Sequence, residues 1–130
     1  MWLFTKTGFY SVVKHDTISD TLLVRSRVRA DLDRLADRLG TDPGDIREVP
    51  PPGDYRWQMP VAKTSLADVI ADEVENIDYT TSVKTAIDLG EEDRHNALMR
   101  VWGAMMTLQT GHDWGGHFNV DDVDDDPWLD

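Results

Sequence analysis

Arg25 and Arg27 stand two residues apart in Val24-Arg25-Ser26-Arg27-Val28-Arg29. In an extended chain that spacing sends both side chains to one face. Arg29 falls just beyond them, and Lys14 is expected nearby on the preceding strand. Guanidinium groups in a row suit phosphate or carboxylate recognition, because each presents a planar fork of donors. The plain alternative is a solvated sheet face on which arginine stems cover apolar surface.

A second constellation closes the chain. Asp121, Asp122, Asp124, Asp125 and Asp126 lead into Pro127-Trp128-Leu129-Asp130. Repulsion between like charges keeps such a stretch extended. A tryptophan and a leucine among carboxylates make it a linear motif that orders on a basic, grooved partner. Trp128 and Leu129 would anchor it and the aspartates steer it. The carboxylates could then imitate nucleic-acid phosphates on a DNA- or RNA-binding protein. Two other readings stay open: a solubilising tail with no partner, or a tail that folds back over the arginine face through screened, salt-sensitive pairs.

The remaining groupings are weaker. His112, Asp113 and His117 could ligate zinc or nickel, but a structural site needs a fourth ligand, and Gly111, Gly115 and Gly116 surround them. No metal site is assigned. Glu91, Glu92, Asp93, Arg94 and His95 invite acid–base chemistry, yet acids are favoured in a first helical turn by the helix dipole alone. His15-Asp16 is weaker still. Trp2, Phe4, Trp57 and Trp102 lie on apolar stripes and read as core. No glycine-rich phosphate loop, metalloprotease helix or nucleophile elbow is present, so no catalytic residue and no cofactor are assigned.

Composition bounds the rest. The 130 residues fit one domain with a core of its own, and the absence of cysteine excludes disulfides and thiolate chemistry. Net charge is −12, and residues 110–130 hold seven aspartates with no lysine or arginine. Subtracting them leaves 18 acidic against 13 basic residues over 1–109. That balance argues against direct nucleic-acid binding, where positive surface supplies most of the affinity. No apolar run could cross a bilayer. A hairpin at the first methionine leaves no room for a signal peptide, so a cytoplasmic protein with no membrane partner is expected.

The elements that must position these residues begin with that hairpin: aromatic and β-branched residues on both sides of Thr7-Gly8. Thr21 to Val28 reads as a third strand. Leu32, Leu35 and Leu39 mark a helix ended by Gly40. Ile46 to Val49 is a brief strand, and Tyr55 to Val61 alternates as another, with Pro60 at an edge or bulge. Ser65 and Asp68 resemble a capping box opening a helix with Leu66, Val69, Ile70, Val74 and Ile77 on its apolar face. A weaker helix spans Tyr79 to Leu89. The last carries Leu98, Val101, Trp102, Met105 and Leu108 as its buried stripe.

Strands first and helices later predict an α+β domain over 1–109, with an antiparallel sheet of about five strands covered on one face by helices. A relation to ferredoxin-like topology is one version. Residues 110–130 are expected to form a flexible acidic tail, and an open sheet edge would permit a homodimer.

Met1-Trp2-Leu3-Phe4-Thr5, Gly8-Phe9-Tyr10-Ser11-Val12-Val13, Val24-Arg25-Ser26-Arg27-Val28-Arg29, Ile77-Asp78-Tyr79, Lys84 and Val101-Trp102 carry a resemblance. They are similar to a family of short uncharacterised bacterial and phage proteins. The family usually has an aromatic before the lysine, where this chain has Val83. The resemblance brings no activity with it. The expected function is therefore a small non-enzymatic interaction or regulatory protein whose acidic aromatic tail binds a basic protein partner. The alternative is a small anionic-ligand or phosphate-binding domain, or enzyme, using Arg25, Arg27, Arg29 and Lys14.

Overall fold

Trp2–Thr5 (β1) and Gly8–Lys14 (β2) form the expected hairpin. The computed structural model describes residues 1–111. They belong to two compact units, Met1–Asp78 and a second beginning at Tyr79.

The first unit continues with Thr21–Ser26 (β3), Arg29–Leu39 (α1), Arg47–Glu48 (β4), Trp57–Ala62 (β5) and Lys63–Glu75 (α2). The strands form one antiparallel sheet in the order β1-β2-β3-β5-β4. The fold is α+β. Its run of three strands before any helix differs from the β-α-β-β-α-β order of a ferredoxin-like sheet.

Alternation along the strands divides the sheet into two faces. Tyr10, Val12, Val24, Met59 and Val61 share one face and, with Leu32, Leu35 and Ala36 of α1, make the buried core. Fully burying each leucine contributes about 1.5–3 kcal/mol. Gly40 ends α1 at φ 69°, its N–H reaching the Ala36 and Asp37 carbonyls. Glycine meets that left-handed geometry without a Cβ clash.

A close approach fixes α1 against the hairpin. A Cβ on Gly8 would lie 2.4 Å from the Asp31 carboxyl carbon. Glycine leaves that space to a carboxylate only 1% exposed. Asp31 accepts the Phe9 N–H at 3.0 Å and pairs with Arg34, whose Nε donates to the Thr7 carbonyl at 2.6 Å. The Tyr10 hydroxyl donates to the Asp31 carbonyl at 2.7 Å. The buried charge is thus both paired and hydrogen-bonded, as low-dielectric burial requires.

Several boundaries differ from expectation for visible reasons. The third strand ends at Ser26, whose hydroxyl donates to the Phe9 and Val28 carbonyls and turns the chain toward α1. The Ser65/Asp68 capping box is absent, because α2 starts earlier, at Lys63. The Lys63 N–H bonds the Asp20 carbonyl at 3.0 Å, so the helix begins where β5 stops. Leu66 is buried and Val69 and Ile70 pack on the core, but Val74 and Ile77 are exposed. Pro60 pairs with Leu23 of β3, and the two-residue β4 stops short of it. It therefore sits where β5 has one strand neighbour, as a residue without an N–H requires.

In the second unit the expected Tyr79–Leu89 helix shrinks to Val83–Ile87 (α3), which begins after Ser82 at φ 59°. Glu92–Thr110 (α4) follows. Its inward stripe is rotated by about one residue. Met99 and Gly103 are buried, whereas Val101, Met105 and Leu108 are exposed. The reason is polar: His95 faces inward to meet Asp88, its Nδ1 3.0 Å from the carboxylate, and Lys84 lies 5.3 Å from the Trp102 ring centroid. An apolar count cannot register such partners.

Candidate functional site

The sheet face that α1 does not cover carries a row one residue wide and five strands long. Trp2 pairs with Ser11, Ser11 with Arg25, Arg25 with Gln58 and Gln58 with Arg47. Directly opposed residues on neighbouring strands point the same way, so all five side chains share this face. At about 4.8 Å per strand, Arg25 and Arg47 stand roughly 10 Å apart with Gln58 between.

Aromatic rings border the row. Phe4 and Phe9 stack at 4.5 Å between centroids, and Trp2 meets Phe9 edge-on at 6.1 Å. Phe9 continues toward Tyr55 at 6.5 Å. Trp2 is 66% exposed and Phe4 37%, which corrects the expectation that both are core. Edge strand β1 places them on the face opposite α1. Trp57 fits that expectation, packing against the core.

Tyr55 organises the arginines. The Arg25 guanidinium carbon lies 4.8 Å from its ring centroid and that of Arg27 4.3 Å. Both cations meet the electron-rich face of one ring. Tyr55 is held there because the turn Pro50–Gly53 returns the chain, closed by Val49 N–H to the Arg56 carbonyl at 2.7 Å. Arg25 also donates through Nη2 to the Ser11 hydroxyl at 2.8 Å, and its buried Nε has no hydrogen-bond acceptor among the described residues. Arg27 donates to the Asp54 carbonyl at 3.0 Å and reaches its carboxylate at 3.5 Å, with the side chain still 54% exposed. The outcome is two guanidinium groups close to one ring, that of Arg27 exposed, beside exposed rings.

The other two expected members go elsewhere. Arg29 pairs with Asp33 at 3.8 Å and lies 5.3 Å from the Trp57 ring centroid. Lys14 opposes Leu22, which in turn opposes Val61, so it stands on the α1 side of the sheet. Sequence reasoning does not single out Arg47, Tyr55, Phe9, Ser11 or Gln58. The alternation through Trp57 to Val61 is a signal for Gln58 but groups Tyr55 with the core side, and only the strand order brings Arg47 into the row.

The weaker groupings are occupied structurally. Arg94 pairs with Glu91 at 3.0 Å, and Asp88 holds both His95 and the Gly90 N–H. His15 Nδ1 accepts the Thr17 and Ile18 N–H groups and so closes a turn. Asp121, Asp122, Asp124, Asp125, Asp126, Trp128 and Leu129 lie outside the described residues, as do His112, Asp113 and His117. Among the described residues no group of three or more His, Cys, Asp or Glu could hold a metal, and no helix is long and apolar enough to cross a membrane.

Comparison with protein-family models, with curated proteins and with solved structures gives no match.

Proposed function

We propose that this chain is a binding protein whose Arg25/Arg27 sheet face takes an anionic partner that also presents a flat or apolar group. The observation that carries this reading is the shared seat of two guanidinium groups over Tyr55, in line with exposed aromatic rings. Stacking and the Ser11 bond hold the forks before any ligand arrives, which lowers the entropy lost on binding. Carboxylate or phosphate oxygens would take the free donors, and a ring or aliphatic group would cover Trp2 and Phe4.

Net charge does not oppose this. Most acidic side chains of the first unit lie on helices and turns, and Asp54 is the carboxylate that meets Arg27. A local field follows the nearby groups, since at physiological salt the screening length is only about 8 Å.

Thermal denaturation against a panel of anions tests the reading: inorganic phosphate, nucleotides, aromatic carboxylates and acidic peptides. A ligand for the native state raises the melting temperature. Stabilisation that disappears in Arg25→Ala/Arg27→Ala supports the face as the site. Stabilisation that survives that variant, or none from any class of anion, counts against it.

A further inference from the structure

We propose that β1 pairs edge to edge with β1 of a second copy of this chain, across a two-fold axis at Leu3. The proposal goes beyond anion binding and does not depend on it.

Backbone parity is its first support. The Met1 ammonium donates to the Val12 carbonyl at 2.8 Å, and the Val12 N–H donates to the Met1 carbonyl at 2.8 Å. In an antiparallel ladder such exchanged pairs alternate with open ones. By the register, Leu3 and Thr5 turn their backbone groups toward β2, while Trp2 and Phe4 turn theirs outward. These outward groups meet no partner among the described residues.

The two edges of the sheet differ in how they are protected. The β4 edge has only Arg47 and Glu48, both exposed and both charged. Shortness and charge are two of the usual devices that keep strands from joining. The β1 edge has four residues, Trp-Leu-Phe-Thr, with no charge and no proline, and its register with β2 runs unbroken. Such an edge is a template for another strand.

Self-complementarity selects a second copy as that strand. Run antiparallel to itself about Leu3, β1 places Trp2 opposite Phe4 of the second copy and Phe4 opposite its Trp2. Each of these pairs exchanges two backbone bonds, and no other two-fold register within β1 forms as many as these four. The opposed rings are 66% and 37% exposed, and aromatic pairs on neighbouring strands are among those that stabilise a sheet. At about 150–250 Å² for each fully covered ring, the area stays below the roughly 1,200 Å² of a standard complex. The dimer is therefore a weak, reversible one. Opposed residues share a side, so both Arg25 side chains lie on one face of a continuous sheet, five strand spacings or about 25 Å apart.

Sedimentation equilibrium of the full chain, from about 1 µM to about 1 mM, spans the range in which a weak interface assembles. A monomer–dimer equilibrium is expected. W2K/F4K sets lysines along the edge and should raise the dissociation constant at least tenfold, with circular dichroism confirming the fold. The chain has no cysteine, so Leu3→Cys reports the register. Two such chains should cross-link under mild oxidation at least tenfold faster than chains carrying Ile18→Cys, a turn residue 51% exposed. A monomer at every concentration overturns the proposal. So does a dimer that W2K/F4K leaves intact, because its interface lies elsewhere. Growth beyond two copies rules out the closed two-fold pairing. Equal cross-linking at Leu3→Cys and Ile18→Cys refutes the axis at Leu3.

Discussion

Arg27 lies 4.3 Å from the centroid of the Tyr55 ring while leaving 54% of its side chain to solvent. The ring fixes where the guanidinium is without using its hydrogen-bond donors. The ring face attracts the cation, while Nη1 and Nη2 turn to the carbonyl and carboxylate of Asp54. Arg25, over the same ring at 4.8 Å, is tied down further by Ser11. The first is an exposed cation that already meets Asp54, and the second a half-buried one braced by Ser11.

Replacing both with alanine should therefore abolish anion binding at this face, a loss of tenfold or more by calorimetry or anisotropy. Lysine at both positions should restore only part of it, because an ammonium group cannot stack flat or bind a carboxylate bidentately. Full recovery with lysine would show that charge alone matters.

Trp2→Ala tests whether the exposed rings are a surface or a misjudged part of the core. Trp2 is 66% exposed, so the change should cost well under the roughly 3–5 kcal/mol of a buried tryptophan, while weakening binding of any aromatic anion. Leu35→Ala, in the same assay, should cost about 2–5 kcal/mol, because Leu35 is only 1% exposed. Chemical denaturation distinguishes them.

Gly8 and Asp31 should behave as one site. Asp31→Ala leaves the Phe9 N–H and Arg34 without their carboxylate and should destabilise by roughly 2–4 kcal/mol. Gly8→Ala pushes a methyl group into the same carboxyl and should cost about 1–3 kcal/mol. The double variant should lose less than the sum, since each change removes what the other disturbs. Additive losses in denaturant midpoints would mean the two do not share a cause.

Asp78 should titrate below its ordinary range. Hydrogen bonding and charge attraction from Lys6, at 2.8 Å, hold its carboxyl under the usual carboxylate value. A carboxyl with a depressed folded pKa favours the fold above its unfolded pKa, and that contribution fades as pH falls through the folded value. The pair is exposed, so the effect on stability is small and salt-sensitive. An NMR titration of Asp78 should show the low value at low salt. Lys6→Met, or high salt, should return it toward the ordinary range.

Local chemistry determines much of this protein. The hairpin, the α1 stripe of Leu32 and Leu35, the Gly40 stop and the facing of Arg25 depend on neighbours a few residues away. So the sequence alone leads to an α+β fold with Arg25 on a strand face, whereas Arg27 lies just past the strand's end. Tertiary structure decides what lies at long range. Strand order brings Arg47 and Trp2 into a row with Arg25, although they lie 22 and 23 positions away in sequence. It also sends Lys14 to the other face and turns Trp2 and Phe4 outward, because a strand alternates but does not state which side a helix will cover. The partners of Asp31 and His95 are likewise beyond the reach of sequence. A buried polar group is explained by the atom that satisfies it, and that atom is found only once the chain has folded.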